Sequence, residues 1–414
     1  MDMDKREELE NETKAQTEAE STETAEEAAK TDENAEKKKK KKLIIIIISI
    51  IVALAVIISV LIGRNIYKKL NLIGYDGNGN TTIDPNQDFV DENETLDFEQ
   101  MDDAIGNDFK SILKNWATNG GEKMSSKNII NVLLIGSDAS SEDSKRPNDA
   151  EKGNTDVMMI VSINKKSKTI KLASIMRDSY TYMSGYDRYA KLNAACQNGG
   201  PAYLVETIEN DYKIKIDGYV LVDFDSFKEV IDVLGGVNVD VPAYVANHLN
   251  SSKDYKDLDR VPSGEGVLLN GKQALAFSRV RKTDADGDVS RVARQRQVIY
   301  ALIEKCGDAN IFEKSDVADV VAANVRTNFT KKQVLNYGAQ AVAGGWTDFE
   351  MSEITMPTED ARYGYTYQGI WIWVVDYPLA AQNLQKEIYG TTNINLEENR
   401  KTAITVMGGY VTKG

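Results

Sequence analysis

Residues 154 to 180 read NTDVMMIVSINKKSKTIKLASIMRDSY. Within them VMMIVSI (157–163) and TIKLASI (169–175) are apolar, β-branched runs of strand length, and the polar NKKSK between them reads as a turn. Runs that are apolar at nearly every position belong to strands covered on both faces. Working outward, NIINVLLIG (128–136), GYVLVDF (218–224) and VNVDV (237–241) have the same character. Helical patterns lie between and after them, at 200–211, 225–234, 271–278, 291–306, 314–326, 331–343 and 376–389. Helices interleaved with such strands predict an α/β fold: a mixed central β-sheet flanked by helices in an α/β/α domain.

The flanks read differently. Leu43 to Gly63, LIIIIISIIVALAVIISVLIG, is 21 residues without a charge, the length of one transmembrane helix. Six lysines (Lys37 to Lys42) precede it, against Arg64, Lys68 and Lys69 after it, which predicts a single-pass membrane protein with a cytoplasmic N-terminus and an extracytoplasmic domain. Residues 1–42 are a Glu, Thr and Ala rich tail ending in the lysine run, too poor in large apolar side chains to order itself. Residues 64–109 form an acidic linker, expected to let the domain stand off the membrane, and residues 110–400 form the folded domain. Most of the net charge of −14 belongs to tail and linker, so the domain is close to neutral and nonspecific nucleic-acid binding is excluded. Cys196 and Cys306 lie too far apart for a disulfide-rich scaffold or a paired-cysteine zinc site. His248, the single histidine, sits in a polar stretch without a nucleophile motif and reads as a surface residue.

In open α/β sheets ligands gather at strand ends. Asp138 ends the opening strand and Asp156 starts the next, and two such carboxylates can hold a hard divalent cation, Mg²⁺ or alternatively Mn²⁺. The plain alternative is a turn or cap aspartate. Arg177 and Asp178 follow TIKLASI. Five arginines then crowd FSRVR (277–281) and DVSRVARQRQ (288–297), where Arg291, Arg294 and Gln295 share one helical face. An arginine-rich helix is ordinarily a solvated, salt-bridged surface. Arg279 and Arg281, read as projecting to one side of an extended segment, shift the reading toward an anion pocket, since planar guanidinium forks suit the several oxygens of a pyrophosphate. Trp371, Trp373 and the tyrosines from 363 to 367 fit either a glycan surface or a core edge.

Five blocks in order, NVLLIGSD, NTDVMMIVSINKKSKTIKLASIMRDSY, KLNAACQNGGPAYLVETIEN, VDFDSFKEVIDVLGGVNVDVP and LNGKQALAFSRVRKTDADGDVSRVARQRQVI, resemble the LytR-CpsA-Psr family over residues 128–310. The resemblance implies a Mg²⁺-dependent phosphotransferase in cell-wall biogenesis. Such an enzyme moves a teichoic-acid-like or capsular glycopolymer from a polyprenyl-pyrophosphate carrier to a peptidoglycan hydroxyl, releasing polyprenyl phosphate. It implies Asp138 and Asp156 as metal ligands and Arg177, Arg279, Arg281, Arg291 and Gln295 on the pyrophosphate; Arg294, on the same helical face, joins the substrate-binding set, and Asp178 beside Arg177 reads as positioning it rather than as the base. It also implies an apolar cavity for the polyprenyl tail. One departure stands out: Asn154 occupies a position that is often arginine in the family. Two other readings stay open: hydrolysis of the pyrophosphate at the same residues, or capture of the lipid-linked polymer by a non-catalytic regulatory membrane protein, which needs the arginines but not the paired carboxylates.

Overall fold

The computed structural model describes residues 70, 73–76, 107–119, 121–137, 155–281, 283, 288–308, 323, 325–346, 349–367 and 369–397. The tail, the apolar stretch 43–63 and most of the linker lie outside them. Among the described residues no helix is long and apolar enough to cross a membrane.

VMMIVSI and TIKLASI lie in β3 (Thr155–Asn164) and β4 (Thr169–Ile175), antiparallel neighbours in the fifth and sixth places of a seven-stranded mixed sheet. The sheet is completed by β1 (Gly74–Tyr75), β2 (Ile129–Ser137), β7 (Gly218–Asp223), β10 (Val325–Thr327) and β11 (Glu350–Met356), in the order β1-β10-β7-β2-β3-β4-β11. β7 runs parallel to β2, and β11 runs parallel to β4. Side chains alternate across a strand. On β3, Met158 and Ile160 therefore enter one core while Met159, Val161 and Ile163 enter another. The first face is covered by α1 (Asn107–Asn119), α2 (Ala194–Tyr212) and α8 (Tyr377–Tyr389), through Trp116, Tyr203, Leu204, Ile208 and Leu384. α2 bends at Gly200, whose φ of 73° is open to glycine at little cost, and Pro201 starts its second half. The second face is covered by α6 (Asp288–Asp308) and α7 (Lys331–Gly344), through Ile299, Tyr300, Val334, Tyr337 and Ala341. The fold is thus the expected mixed α/β sandwich.

A third core stands beside the sheet. There β8 (Val237–Val241) pairs with β9 (Gly264–Leu269), and α3 (Phe224–Val233), α4 (Ala243–Ser251) and α5 (Gly271–Arg279) pack on them with Val298 and Ala301 of α6. The strand expected at 237–241 exists but belongs to this small sheet, because its alternating burial leaves one face to solvent. Two hairpins, β5 (Tyr180–Met183) with β6 (Arg188–Lys191) and β12 (Arg362–Tyr367) with β13 (Ile370–Val375), extend the first core. Most of the helix expected over 314–326 lies outside the described residues, and its last two positions belong instead to β10, where Val325 pairs with Val222. His248 lies half-buried on α4 with its ring 6.0 Å from that of Tyr255.

One carboxyl sits wholly inside the first core. Asp211 accepts from the Thr181 hydroxyl at 2.8 Å on each oxygen, and burial pushes its pKa from 3.8 up to about 7. Its neighbour Lys213 donates to the Trp116 carbonyl at 2.7 Å, and burial pushes that ammonium down to about 8. The folded chain therefore keeps a proton on Asp211 that the unfolded chain releases near its ordinary pKa. This group subtracts stability as pH rises, with the full loss reached above about 7. Denaturant unfolding of wild type beside Asp211→Asn checks this: the variant is expected to gain on wild type between pH of about 4 and about 7 and to level off above.

Candidate functional site

β2, β4, β7 and β11 all end at one edge of the sheet, where β3 begins. Ser137 closes β2 between Asp223 of β7 on one side and Thr155 of β3 on the other. The β2–β3 register steps from Gly136 opposite Val157 to Ser137 opposite Thr155, so Asp156 has no partner in the ladder. An extra residue of this kind is a β-bulge, which bends the strand and re-aims a side chain.

The re-aimed carboxylate is the centre of the site. Arg177, two residues beyond the end of β4, donates from Nη1 to Asp156 Oδ1, and both side chains are only 10% exposed. Arg279 brings Nε to 3.6 Å from Asp156 Oδ2 while remaining 45% exposed, with its guanidinium 4.7 Å above the Phe224 ring. Phe224 is fixed there because Asp223 caps α3, accepting from the Ser226 N–H at 2.7 Å. Gln295 on α6 donates to the Asp156 carbonyl at 3.4 Å. Behind Arg177, Asp178 lies 3.7 Å from its Nε and accepts from Lys191 Nζ at 3.0 Å. Charges thus alternate along Lys191, Asp178, Arg177, Asp156 and Arg279, with three cations to two anions.

The segments that bring Arg279 and Gln295 to the site carry further guanidiniums. Arg291 is 2% exposed, on the face of α6 that presents Gln295 one turn later. Arg294 is buried and donates to the Val280 carbonyl at 2.5 Å, which ties α6 to the end of α5. Arg281 lies exposed two residues past α5. Arg279 itself is in the last turn of a helix rather than in an extended segment. The reason is local: Asn270 and Gln273 form a reciprocal capping box, and Ala274 and Phe277 bury the inner face. Excess positive charge held in a partly desolvated pocket favours a multivalent anion, because buried charge is costly unless paired.

For a divalent cation, Asp156 supplies the hard carboxylate oxygen that Mg²⁺ prefers, and a cation can replace the arginines as its counter-ion. Its side of the expected metal site therefore fits. Asp138, the other expected ligand, lies outside the described residues, as does Asn154. Among the described residues no cluster of three or more His, Cys, Asp or Glu is placed to hold a metal. Lys191 and Phe224 escaped the sequence reading. The signal for Lys191 was the pair YTYM and RYAK around a polar turn, a hairpin pattern too short to separate from loop. Of the aromatic residues near the C-terminus, Trp371 is exposed and meets Trp373 edge-on at 5.3 Å, while Tyr363 and Tyr365 pack against the first core. The hairpin that carries them is pinned to the site by the Trp373 N–H, which donates to the Asp178 carbonyl at 2.9 Å.

Known proteins share this architecture. The chain is 36% identical over 218 residues to a Bacillus subtilis protein named polyisoprenyl-teichoic acid–peptidoglycan teichoic acid transferase TagV, over 52% of this chain and 54% of that one. It is 34% identical over 220 residues to the TagU transferase of Bacillus anthracis, over 53% of this chain and 67% of that one. The chain thus spans about half to two thirds of the length of these relatives. Among solved structures, TagT bound to LIIa-WTA superposes with a TM-score of 0.51 at 26% identity, covering 66% of this chain and 97% of that one. A Streptococcus agalactiae protein, gbs0355, shares the fold with a TM-score of 0.54 at 22% identity, covering 65% of this chain and 91% of that one. The model of the LytR_cpsA_psr family matches residues 90–388, and the chain belongs to that family.

Proposed function

We propose that this site binds the pyrophosphate of a polyprenyl-linked glycopolymer and transfers the glycopolymer phosphate to a peptidoglycan hydroxyl, in a domain held outside the cell by the apolar stretch 43–63. The observation that carries the reading is the line of alternating charges from Lys191 to Arg279 at the strand ends. Its excess of one cation, with Arg279 open to solvent, suits a pyrophosphate in a domain with little net charge. The names of TagV and TagU support the same polymer class, and TagT bound to LIIa-WTA supports a wall-teichoic-acid-like substrate.

In this mechanism the acceptor hydroxyl oxygen attacks the sugar-side phosphorus and its proton passes, by way of solvent, to the departing phosphate. The bond from that phosphorus to the bridging oxygen breaks, and polyprenyl phosphate leaves with the electron pair. Arg177, Arg279, Arg281 and Arg291 stabilise the charge that grows on the leaving phosphate, and Gln295 orients an oxygen. Arg294 joins them through its hold on the end of α5. Mg²⁺ on Asp138 and Asp156, when bound, offsets charge on the pyrophosphate oxygens. Asp178 and Lys191 act behind Arg177: they fix the plane of its guanidinium, and displacement by even an ångström weakens transition-state contacts.

The decisive experiment supplies the full-length protein with a synthetic polyprenyl-pyrophosphate glycan, peptidoglycan fragments and Mg²⁺, and identifies the products. A phosphodiester-linked glycan on the wall fragment is expected. Free glycan phosphate would mean hydrolysis, and tight binding without turnover would mean a receptor. Arg279→Ala is expected to slow transfer several hundred-fold, since one lost charge-stabilising donor costs about 3 to 4 kcal/mol, and Asp156→Ala is expected to slow it by as much or more, since it removes the carboxylate that holds Arg177 and Arg279 in place. Lys191→Ala is expected to lower kcat about 10- to 100-fold with little change in KM, as for groups that orient a ligand from behind, and Lys191→Arg to restore most of it. A Lys191→Ala enzyme with unchanged kcat would remove this residue from the mechanism.

A further inference from the structure

The segment entering the domain is a built strap. Leu70 and Ile73 are buried in a small cluster with Tyr75 and Val334. β1 pairs with β10, and the Asp76 N–H donates to the Thr327 carbonyl at 3.0 Å. Arg326 grips Asp76 Oδ1 with two donors, Nε at 3.1 Å and Nη2 at 2.6 Å, while the Tyr219 hydroxyl donates to Oδ2 at 2.7 Å. Gly74 permits the approach, since a Cβ there would stand 2.9 Å from Arg326 Cγ. Residues expected to begin a free linker are thus fastened to the sheet by a bidentate ion pair and two buried apolar side chains.

Register gives this strap a direction. β10 is antiparallel to β7, with Val325 opposite Val222 and Thr327 opposite Val220. β1 is parallel to β10, with Gly74 opposite Arg326 and Tyr75 opposite Thr327. β1 therefore runs away from the Asp223 end of β7, and the chain comes onto the sheet at that end. Asp223 pairs with Ser137 in the same row as Thr155, beside the Asp156 bulge. The entry point is two strands from β7, about 10 Å at ordinary strand spacing. Only residues 64 to 69 separate Leu70 from Gly63, a reach of at most about 25 Å when fully extended.

We propose that the docked strap turns the strand-end edge carrying Asp156, Arg177 and Arg279 toward the bilayer, so that the partner of this edge is the phosphate-bearing headgroup surface. The inference rests on 43–63 spanning the membrane and on the site taking a lipid-linked pyrophosphate. The anionic group to be bound lies at headgroup level, and a long free linker would leave the site to search for it. Fastening Leu70 and residues 73–76 removes most of that freedom and holds the guanidiniums within reach of the lipid–water boundary.

The test is a depth measurement on the full-length chain in lipid vesicles, with Cys196 and Cys306 replaced by serine and one fluorophore attached at a time. Glu359→Cys reports on the site edge, just past Met356, which pairs with Ile175. Lys166→Cys reports on the far end, in the turn between β3 and β4, about 30 Å away along the strands. Headgroup-labelled quencher lipid is expected to quench the Glu359→Cys probe several-fold more than the Lys166→Cys probe. The double variant Ile73→Asp, Asp76→Ala should abolish the difference while leaving the chain in the vesicles. Equal quenching of both probes, or stronger quenching at Lys166→Cys, would overturn the orientation. A difference that survives the strap variant would overturn the role of the strap. Loss of the chain from carbonate-washed vesicles would sink the membrane reading itself, separately from transfer activity.

Discussion

Everything at the strand-end edge depends on one carboxylate, that of Asp156, standing out of its ladder. Its bulge leaves the residue unpaired in the ladder and its charge only slightly exposed, and such a charge is stable only with a close partner. Arg177 supplies that partner from the end of β4, Arg279 from the end of α5, and Gln295 secures the backbone from α6. These three elements belong to different packing layers, so the site is where the cores are locked together. A pocket assembled in this way is preorganised, because its guanidiniums are held by buried contacts before any substrate arrives.

The layers explain why the arrangement is stiff. Arg177 sits between the sheet and the β5–β6 hairpin, with Lys191 and Asp178 behind it and the β12–β13 hairpin tied to the Asp178 carbonyl. Arg279 rides on a helix whose start is capped and whose end is tied to Arg294. The exposed face of Arg279 is the side open to a ligand, whereas Arg291 is enclosed. Trp371, exposed on a hairpin tied to the same loop, offers an apolar ring on the solvent side.

Much of the fold could be read from hydrophobic pattern. β2, β3, β4 and β7 fall within two residues of the runs at 128–136, 157–163, 169–175 and 218–224, because strands buried on both faces leave long apolar runs. The short strands β5, β6, β10, β12 and β13 did not announce themselves, since pairs of three to six residues take their structure from what they pack against. The same limit hid Lys191. Asp156, Arg177, Arg279 and Gln295 stood out as polar residues beside apolar runs and come together in space, whereas their mutual distances depend on a bulge and a helix end that pattern does not encode. The strap at 70–76 was hidden by the acidic composition around it. Leu70, Ile73 and Asp76 become structural only because β10 offers Arg326 and an open edge.

A constellation of several guanidiniums about one carboxylate should prefer a pyrophosphate to a single phosphate. Calorimetric titration of the full-length protein with a short polyprenyl pyrophosphate and with the matching monophosphate, in the presence of Mg²⁺, tests it most directly. Tighter binding of the pyrophosphate by about tenfold or more, roughly 1.4 kcal/mol, with the preference lost in Arg177→Ala, is the predicted result. Equal affinity for the two ligands, or a preference that persists in both Arg177→Ala and Arg279→Ala, would contradict it.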